Sequence, residues 1–144
     1  MPATTRRDHD SALRSELVRT AAFRTELRRF VHKTEAATTD AGLTPQRYDL
    51  LLMIKTAPDG SESSTVTQLR EALDLRQTAV TELVKRAEEA GLITRQRSAD
   101  DGRVFTIRLS PNGEARLMRV FDALTNDRHS FVESFRELAV RFHA

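Results

Sequence analysis

A mainly helical fold carrying one small β-hairpin is what this sequence predicts, and three observations predict it. Apolar residues recur at three- and four-residue steps through most of the chain, the period of a helix buried on one face. Between Leu92 and Leu109 that period gives way to alternation around a polar, glycine-containing tip, the pattern of two paired strands. The punctuation agrees: Thr44-Pro45 and Ser110-Pro111 are hydroxyl-plus-proline helix starts, and Gly91 follows a helical run as a stop.

The region from Arg76 to Leu109 organises the rest. Within Gln77 to Ala90, Val80, Leu83, Val84 and Ala87 define one buried helix face and leave Thr78, Thr81, Glu82, Lys85 and Arg86 outward or flanking. Gly91 supplies the left-handed conformation that ends the helix without a Cβ clash. Leu92 and Ile93 begin a strand, Ser98 to Gly102 is the tip, and Phe105, Ile107 and Leu109 alternate with Val104, Thr106 and Arg108, predicting a hairpin with one buried face. A helix followed directly by such a hairpin is the second half of a winged helix-turn-helix. There the helix enters a major groove and the hairpin tip reaches backbone or minor groove.

The remaining elements follow in chain order. Residues 1–9 read as a frayed lead-in, and a long helix is expected from about Asp10 to Thr34 on Leu13, Leu17, Phe23, Leu27, Phe30 and Val31. Its two narrow apolar faces suit a helix that contacts both its own domain and a second subunit. Ala37 to Gly42 is read as a connector. Thr44 then caps a helix with Pro45 at its first position, and Leu43 can pack on Tyr48 as a hydrophobic staple. Because Tyr48, Leu50, Leu51, Leu52, Met53 and Ile54 make it apolar on most sides, this helix should be central and buried. Pro58 to Ser64 is a loop, Thr65 to Thr67 an edge strand, and Gln68 to Leu73 a short helix with Leu69, Ala72 and Leu73 inward. Asp74-Leu75-Arg76 joins that helix to the next, the spacing of a helix-turn-helix. Either Asp74 caps a helix that starts early, in a D-x-x-Q arrangement with Gln77, or the helix start carries no good cap. Beyond Ser110-Pro111 a helix runs through Leu117, Met118, Phe121 and Leu124, with a break at Asn126-Asp127. Phe131, Phe135, Leu138 and Phe142 then fall four, three and four apart. A stripe this apolar must pack, and the amino-terminal helix of a second copy is the natural partner, packing inside the monomer being the other arrangement.

Composition narrows the function classes. The 144 residues are 39% hydrophobic and 31% charged, with a formal charge of +2, values of a single globular domain that by themselves do not announce a nucleic-acid binder. Placement does: Arg95, Arg97, Arg103 and Arg108 lie on or beside the hairpin. No apolar run reaches membrane-spanning length and the first residues carry no signal-peptide apolar core, so the expectation is a cytoplasmic protein without a membrane partner. With no cysteine, disulfides, thiolate metal sites and cysteine redox sensing are excluded. His9, His32, His129 and His143 form no ligand-spaced pair, so no metal or other cofactor is expected. No P-loop, G-x-G-x-x-G or G-x-S-x-G occurs, and no enzyme is read here.

Asp101-Gly102-Arg103, followed by the strand through Ser110 and by Gly113, resembles the D-x-R wing and L-[ST]-x-x-G exit of MarR-type transcriptional regulators. Ala87 to Ile93 is similar to that family's end of the recognition helix, and the resemblance extends over essentially the whole chain. It implies a single domain with a winged-helix DNA-binding lobe at 44–110 and dimerisation helices at 10–36 and 112–143. It also implies a homodimeric repressor of a pseudo-palindromic double-stranded operator, relieved by a small ligand such as an aromatic acid or a lipophilic compound. Arg103 on the wing is expected to enter a narrow minor groove while Asp101 accepts its N–H groups and holds the guanidinium. Arg76, Gln77, Thr78, Thr81, Lys85 and Arg86 are the candidates on the recognition helix, and Arg95 and Arg97 on the hairpin. The resemblance places the dimer interface at Leu13, Leu17, Phe131, Phe135, Leu138 and Phe142, and a ligand crevice at Phe23, Phe30, His32 and Tyr48. One departure stands out: the family usually has a small hydroxyl residue where this chain has Arg76. The competing reading is a winged-helix adaptor that pairs with protein through the helical stripe and hairpin.

Overall fold

A computed structural model of the chain describes residues 2–142, and side chains from 5 to 140. Six helices and three short strands occur among the described residues: α1 Pro2–Asp40, α2 Pro45–Lys55, β1 Ser63–Ser64, α3 Val66–Leu73, α4 Gln77–Glu89, β2 Ile93–Arg97, β3 Phe105–Leu109, α5 Pro111–Ala123 and α6 Thr125–Phe142. They form two compact units, one of residues 35–123 and one of residues 1–34 with 124–144.

The 35–123 unit is built around α2. Thr44 accepts the Arg47 amide at 3.2 Å as its cap, and Leu50, Leu51 and Ile54 are completely buried. Around them close Leu69 of α3, Val80, Val84 and Ala87 of α4, Leu92, Ile107 of β3, and Leu117 and Val120 of α5. The expected buried face of α4 is the observed one, Val80, Leu83, Val84 and Ala87. Leu43 and Tyr48, the two ends of the expected staple, are both buried. The antiparallel sheet has the order β1-β3-β2, with Ser63 opposite Arg108 and Arg97 opposite Phe105.

Three helices stop by one device. At Gly42, Asp74 and Gly91 the backbone turns left-handed, with φ of 71, 52 and 73°. The next amide then reaches back: Leu43 to Thr38, Leu75 to Arg70, and Leu92 to Ala87. Carbonyls that the helix end would orphan are thereby paired. The end of α1 is also held from α5, where Arg116 donates to the Ala41 and Gly42 carbonyls at 3.1 and 3.3 Å and Arg119 to Asp40 at 3.2 Å. A Cβ at Gly42 would collide with the Arg116 guanidinium.

Several expectations change. The frayed lead-in and the 37–42 connector are largely helical, because nothing from Ala3 to Ala41 breaks a helix and the first effective stop is Gly42. The edge strand is Ser63–Ser64 rather than Thr65–Thr67, and α3 begins at Val66 rather than Gln68. Thr65 is drawn into a capping box instead, accepting the Gln68 amide while the Gln68 side chain accepts its own N–H at 2.9 Å. Asp74 ends α3 and does not cap α4, which starts at Gln77 with Arg76 at the cap position making no side-chain cap bond. The hairpin does not bury a whole face: Ile93 and Ile107 are buried, Leu109 is half-buried, and Phe105 is 41% exposed, because the strands outrun the helices beneath them. Met118 and Phe121 of α5 are exposed, Val120 taking the inward position. The break before the last helix falls at Leu124, not at Asn126-Asp127.

In the second unit α6 packs along α1 over residues 23–33. Phe30 stacks on Phe131 with ring centroids 4.9 Å apart, and Phe23 meets Phe135 edge-on at 5.6 Å. Leu138 is buried, and Lys33 pairs with Asp127 at 2.8 Å. The apolar stripe of α6 therefore has a partner within its own chain. Phe142 belongs to this stripe, but its side chain lies outside the described residues.

Candidate nucleic-acid interface

The outer face of α4 is a row of polar side chains mounted on a buried apolar stripe. Arg76, Gln77, Thr78, Thr81, Lys85 and Arg86 are all exposed. Of these Arg86 is tied to Glu82, one turn back, at 2.9 Å. The other five make no side-chain hydrogen bond or ion pair among the described residues. Because Val80 and Val84 are wholly buried against the α2 core, the helix cannot roll without losing them, and this fixes which residues face out.

The hairpin adds a second set of cations in unequal circumstances. Arg95 Nε donates to Glu88 Oε2 of α4 at 2.6 Å, so its charge is compensated and the hairpin is tied to the recognition helix. Arg97 lies over the ring of Phe105, its cross-strand partner, 5.6 Å from the centroid. Arg108 donates to the Ser61 carbonyl at 2.8 Å and bridges to the loop before β1. Arg103 is exposed, and its guanidinium has no partner among the described residues.

This corrects the role given to Asp101. Its carboxylate accepts the backbone N–H of Arg103 at 3.0 Å rather than the guanidinium. An aspartate two residues before an amide closes an Asx turn with little strain, and the long arginine side chain is left to extend into solvent. Asp101 thus shapes the tip, together with the Ser98 amide on Val104 at 2.8 Å and the Val104 amide on Asp101 at 3.0 Å.

The exit from the hairpin is equally specific. Ser110 Oγ donates to the Gly91 carbonyl at 2.6 Å and accepts the Gly113 amide at 3.0 Å. Gly113 packs so closely beneath Leu92 that a Cβ there would overlap the Leu92 carbonyl. Serine and glycine in this spacing therefore lock the end of α4, the root of the wing and the start of α5 together.

Other candidates are more dispersed. Phe23 and Phe30 are half-buried against α6, His32 is exposed on α1, and Tyr48 is buried in the other unit. Leu13 and Leu17 on α1 are 49% and 61% exposed. His9 and His129 are exposed, His143 lies outside the described residues, and no group of three metal-ligating side chains occurs among the described residues. No described helix is long and apolar enough to cross a membrane. What sequence reasoning missed was the set of partners, Glu88 for Arg95, Phe105 for Arg97 and Ser61 for Arg108. Strand alternation put Arg95 and Arg97 on one face, but cross-strand register depends on how the 98–104 turn closes, which has no periodic signal.

Residues 41–104 match the family model MarR_2, described as MarR family. A protein of Thauera aromatica described as a transcriptional regulatory protein for the hcr operon is 32% identical over 94 residues, 65% of this chain and 54% of its own length. The chain spans about half the length of the curated relatives it matches, 54% and 48%. Among solved structures, a MarR family transcription regulator superposes with a TM-score of 0.72 at 23% identity, over 94% of this chain and 86% of the other. A mutant MarR from Escherichia coli complexed with operator DNA gives a TM-score of 0.65 at 16% identity, over 83% and 89%. At those identities the structures speak for the fold alone. The family model thus matches the winged-helix region, residues 41–104, and solved MarR family structures share the fold around it.

Proposed function

We propose that this protein is a sequence-specific double-stranded DNA-binding transcriptional regulator that acts as a homodimeric repressor. The observation that carries the reading is the outer face of α4, where Arg76, Gln77, Thr78, Thr81 and Lys85 stand exposed, with no side-chain partner among the described residues, on a helix that cannot rotate. Gln can pair both ends with adenine, Thr can touch a thymine methyl, and Lys or Arg can meet phosphate or guanine. The lobe at 44–110 lays α4 in a major groove and passes the Arg103 tip to the adjacent minor groove. Support comes from the relative described as a regulator of the hcr operon and from the operator-bound neighbour.

The helices at 10–36 and 112–143 pair two copies, Leu13 and Leu17 being large apolar side chains left uncovered. A small ligand, an aromatic acid by its chemistry, relieves repression. Phe30 lines a cleft of about 130 Å³ with Arg29 and Lys33, the cations a carboxylate would meet, each now paired with an acid. Phe23 and His32 are further ligand candidates in the same unit, Tyr48 is a separate candidate within the 35–123 unit, and the location is cytoplasmic.

The test is a gel-shift titration against DNA selected from a random duplex library, at two salt concentrations, with the Arg103→Ala variant alongside. A specific complex that weakens with salt and is lost in Arg103→Ala, with the melting temperature unchanged, supports the reading. Equal affinity for selected and random DNA would shift weight to a protein-pairing winged helix.

A further inference from the structure

Resting on the DNA-binding reading above, we propose that Phe105 is a positioning residue which holds the Arg97 guanidinium against the phosphate strand running between the recognition helix and the wing tip. Strand geometry supplies the placement. Residues two apart on β2 share a face, so Ile93, Arg95 and Arg97 point the same way, as do their directly opposed partners Leu109, Ile107 and Phe105. Ile93 and Ile107 identify this as the face turned to the helices, since both are buried. Glu88 of α4, reaching Arg95 at 2.6 Å, carries the same face outward along the side toward α4. The Arg97–Phe105 pair is one register step further out, beyond the helical layer, still on that side.

A duplex with α4 in its major groove and the wing tip in the neighbouring minor groove must run the backbone strand that separates those grooves between them. That strand crosses the outer part of this face. Of the two arginines there, Arg95 has its charge compensated by Glu88, whereas Arg97 rests on an uncharged ring and keeps its full charge. An aromatic face restrains a guanidinium without neutralising it and leaves its N–H edges free for phosphate. This accounts for a large apolar side chain 41% exposed on a strand that has no core to fill at that point.

The experiment uses the full chain and the variants Arg97→Ala, Phe105→Leu, Phe105→Tyr and the Arg97→Ala/Phe105→Leu double. In the free protein, NMR should find the Arg97 side-chain protons shifted upfield by the ring, the shift lost in Phe105→Leu and kept in Phe105→Tyr. On random-sequence duplex DNA in a salt titration, Arg97→Ala should weaken binding and reduce the salt slope by about one phosphate contact. Phe105→Leu should weaken it by about two- to fivefold, the range of an exposed cation–π contact. Phe105→Tyr should bind as the parent does, and the double variant no more weakly than Arg97→Ala. Absence of the ring shift, a Phe105→Leu variant that binds like the parent, or losses that multiply in the double variant would each overturn the proposal. A ring shift present in a parent protein that binds no duplex at all would instead sink the DNA-binding reading, and the role given to Phe105 with it.

Discussion

Ser110 Oγ lies 2.6 Å from the Gly91 carbonyl, so the residue that opens α5 is bonded to the residue that ends α4 across the root of the wing. The same oxygen caps Gly113, and one hydroxyl thus serves two helix ends. Ser110→Ala removes both bonds and should destabilise the fold by about 1–2 kcal/mol, read as a lower urea midpoint at unchanged slope. Gly113→Ala should cost more, because the new methyl overlaps a backbone carbonyl that has no room to retreat.

Arg76 stands at the start of α4 without a capping bond, where a positive charge also opposes the helix dipole. Arg76→Ser should therefore stabilise the protein by about 1 kcal/mol while weakening DNA binding through loss of a cation. Thermal melting and a salt-titrated gel shift on the same variant check the opposed signs. A variant that both melts higher and binds DNA as tightly as the parent would remove Arg76 from the interface.

Lys55 Nζ bridges Glu114 and Glu62, at 2.6 and 3.0 Å, tying α5 and the loop before β1 to α2. The hydrogen bond to Glu114, then that to Glu62, raises the Lys55 pKa above its ordinary 10.5. A raised lysine pKa contributes stability fully present below the unfolded value and lost as pH climbs through the folded one. The melting temperature of Lys55→Met should thus lie below the parent's at neutral pH and converge with it above about pH 10.5. A gap that persists unchanged at higher pH would mean the lysine acts through packing alone.

Leu17 is 61% exposed on α1, one turn from the exposed Leu13 on the same side of the helix. In a homodimer paired through these helices, Leu17→Glu should shift the species seen by sedimentation from dimer to monomer without loss of helical content. If the mass in solution does not change, the interface lies elsewhere.

Much of the winged-helix lobe was legible in one dimension because its signals are local. A hydroxyl before proline caps a helix whatever surrounds it, as Thr44 does, and the three- and four-residue step of Val80, Leu83, Val84 and Ala87 names the buried face before any partner is known. Gly91 was readable for the same reason, since a left-handed turn is a requirement on a single residue, whereas the serine-to-glycine exit was read through the family resemblance and its close approach to Leu92 came only with the structure. Local rules also went astray where two competed. Thr65 fits a strand and a cap equally well, and Gln68 three residues on decided for the cap.

The tertiary structure decided what depends on which side chains meet across space. That Arg95 is neutralised by Glu88 while Arg97 rides on Phe105 follows from how the 98–104 turn closes and sets the register, not from any spacing along the chain. That Phe131 and Phe135 find Phe30 and Phe23 of their own chain follows from how α6 turns back after Leu124. The sequence determined helices, caps and the outward face of α4, because backbone geometry and single-residue sterics are written locally. Which charges remain free on that surface was settled only by packing, because an ion pair or a stacked ring is a property of two distant residues and the path that joins them.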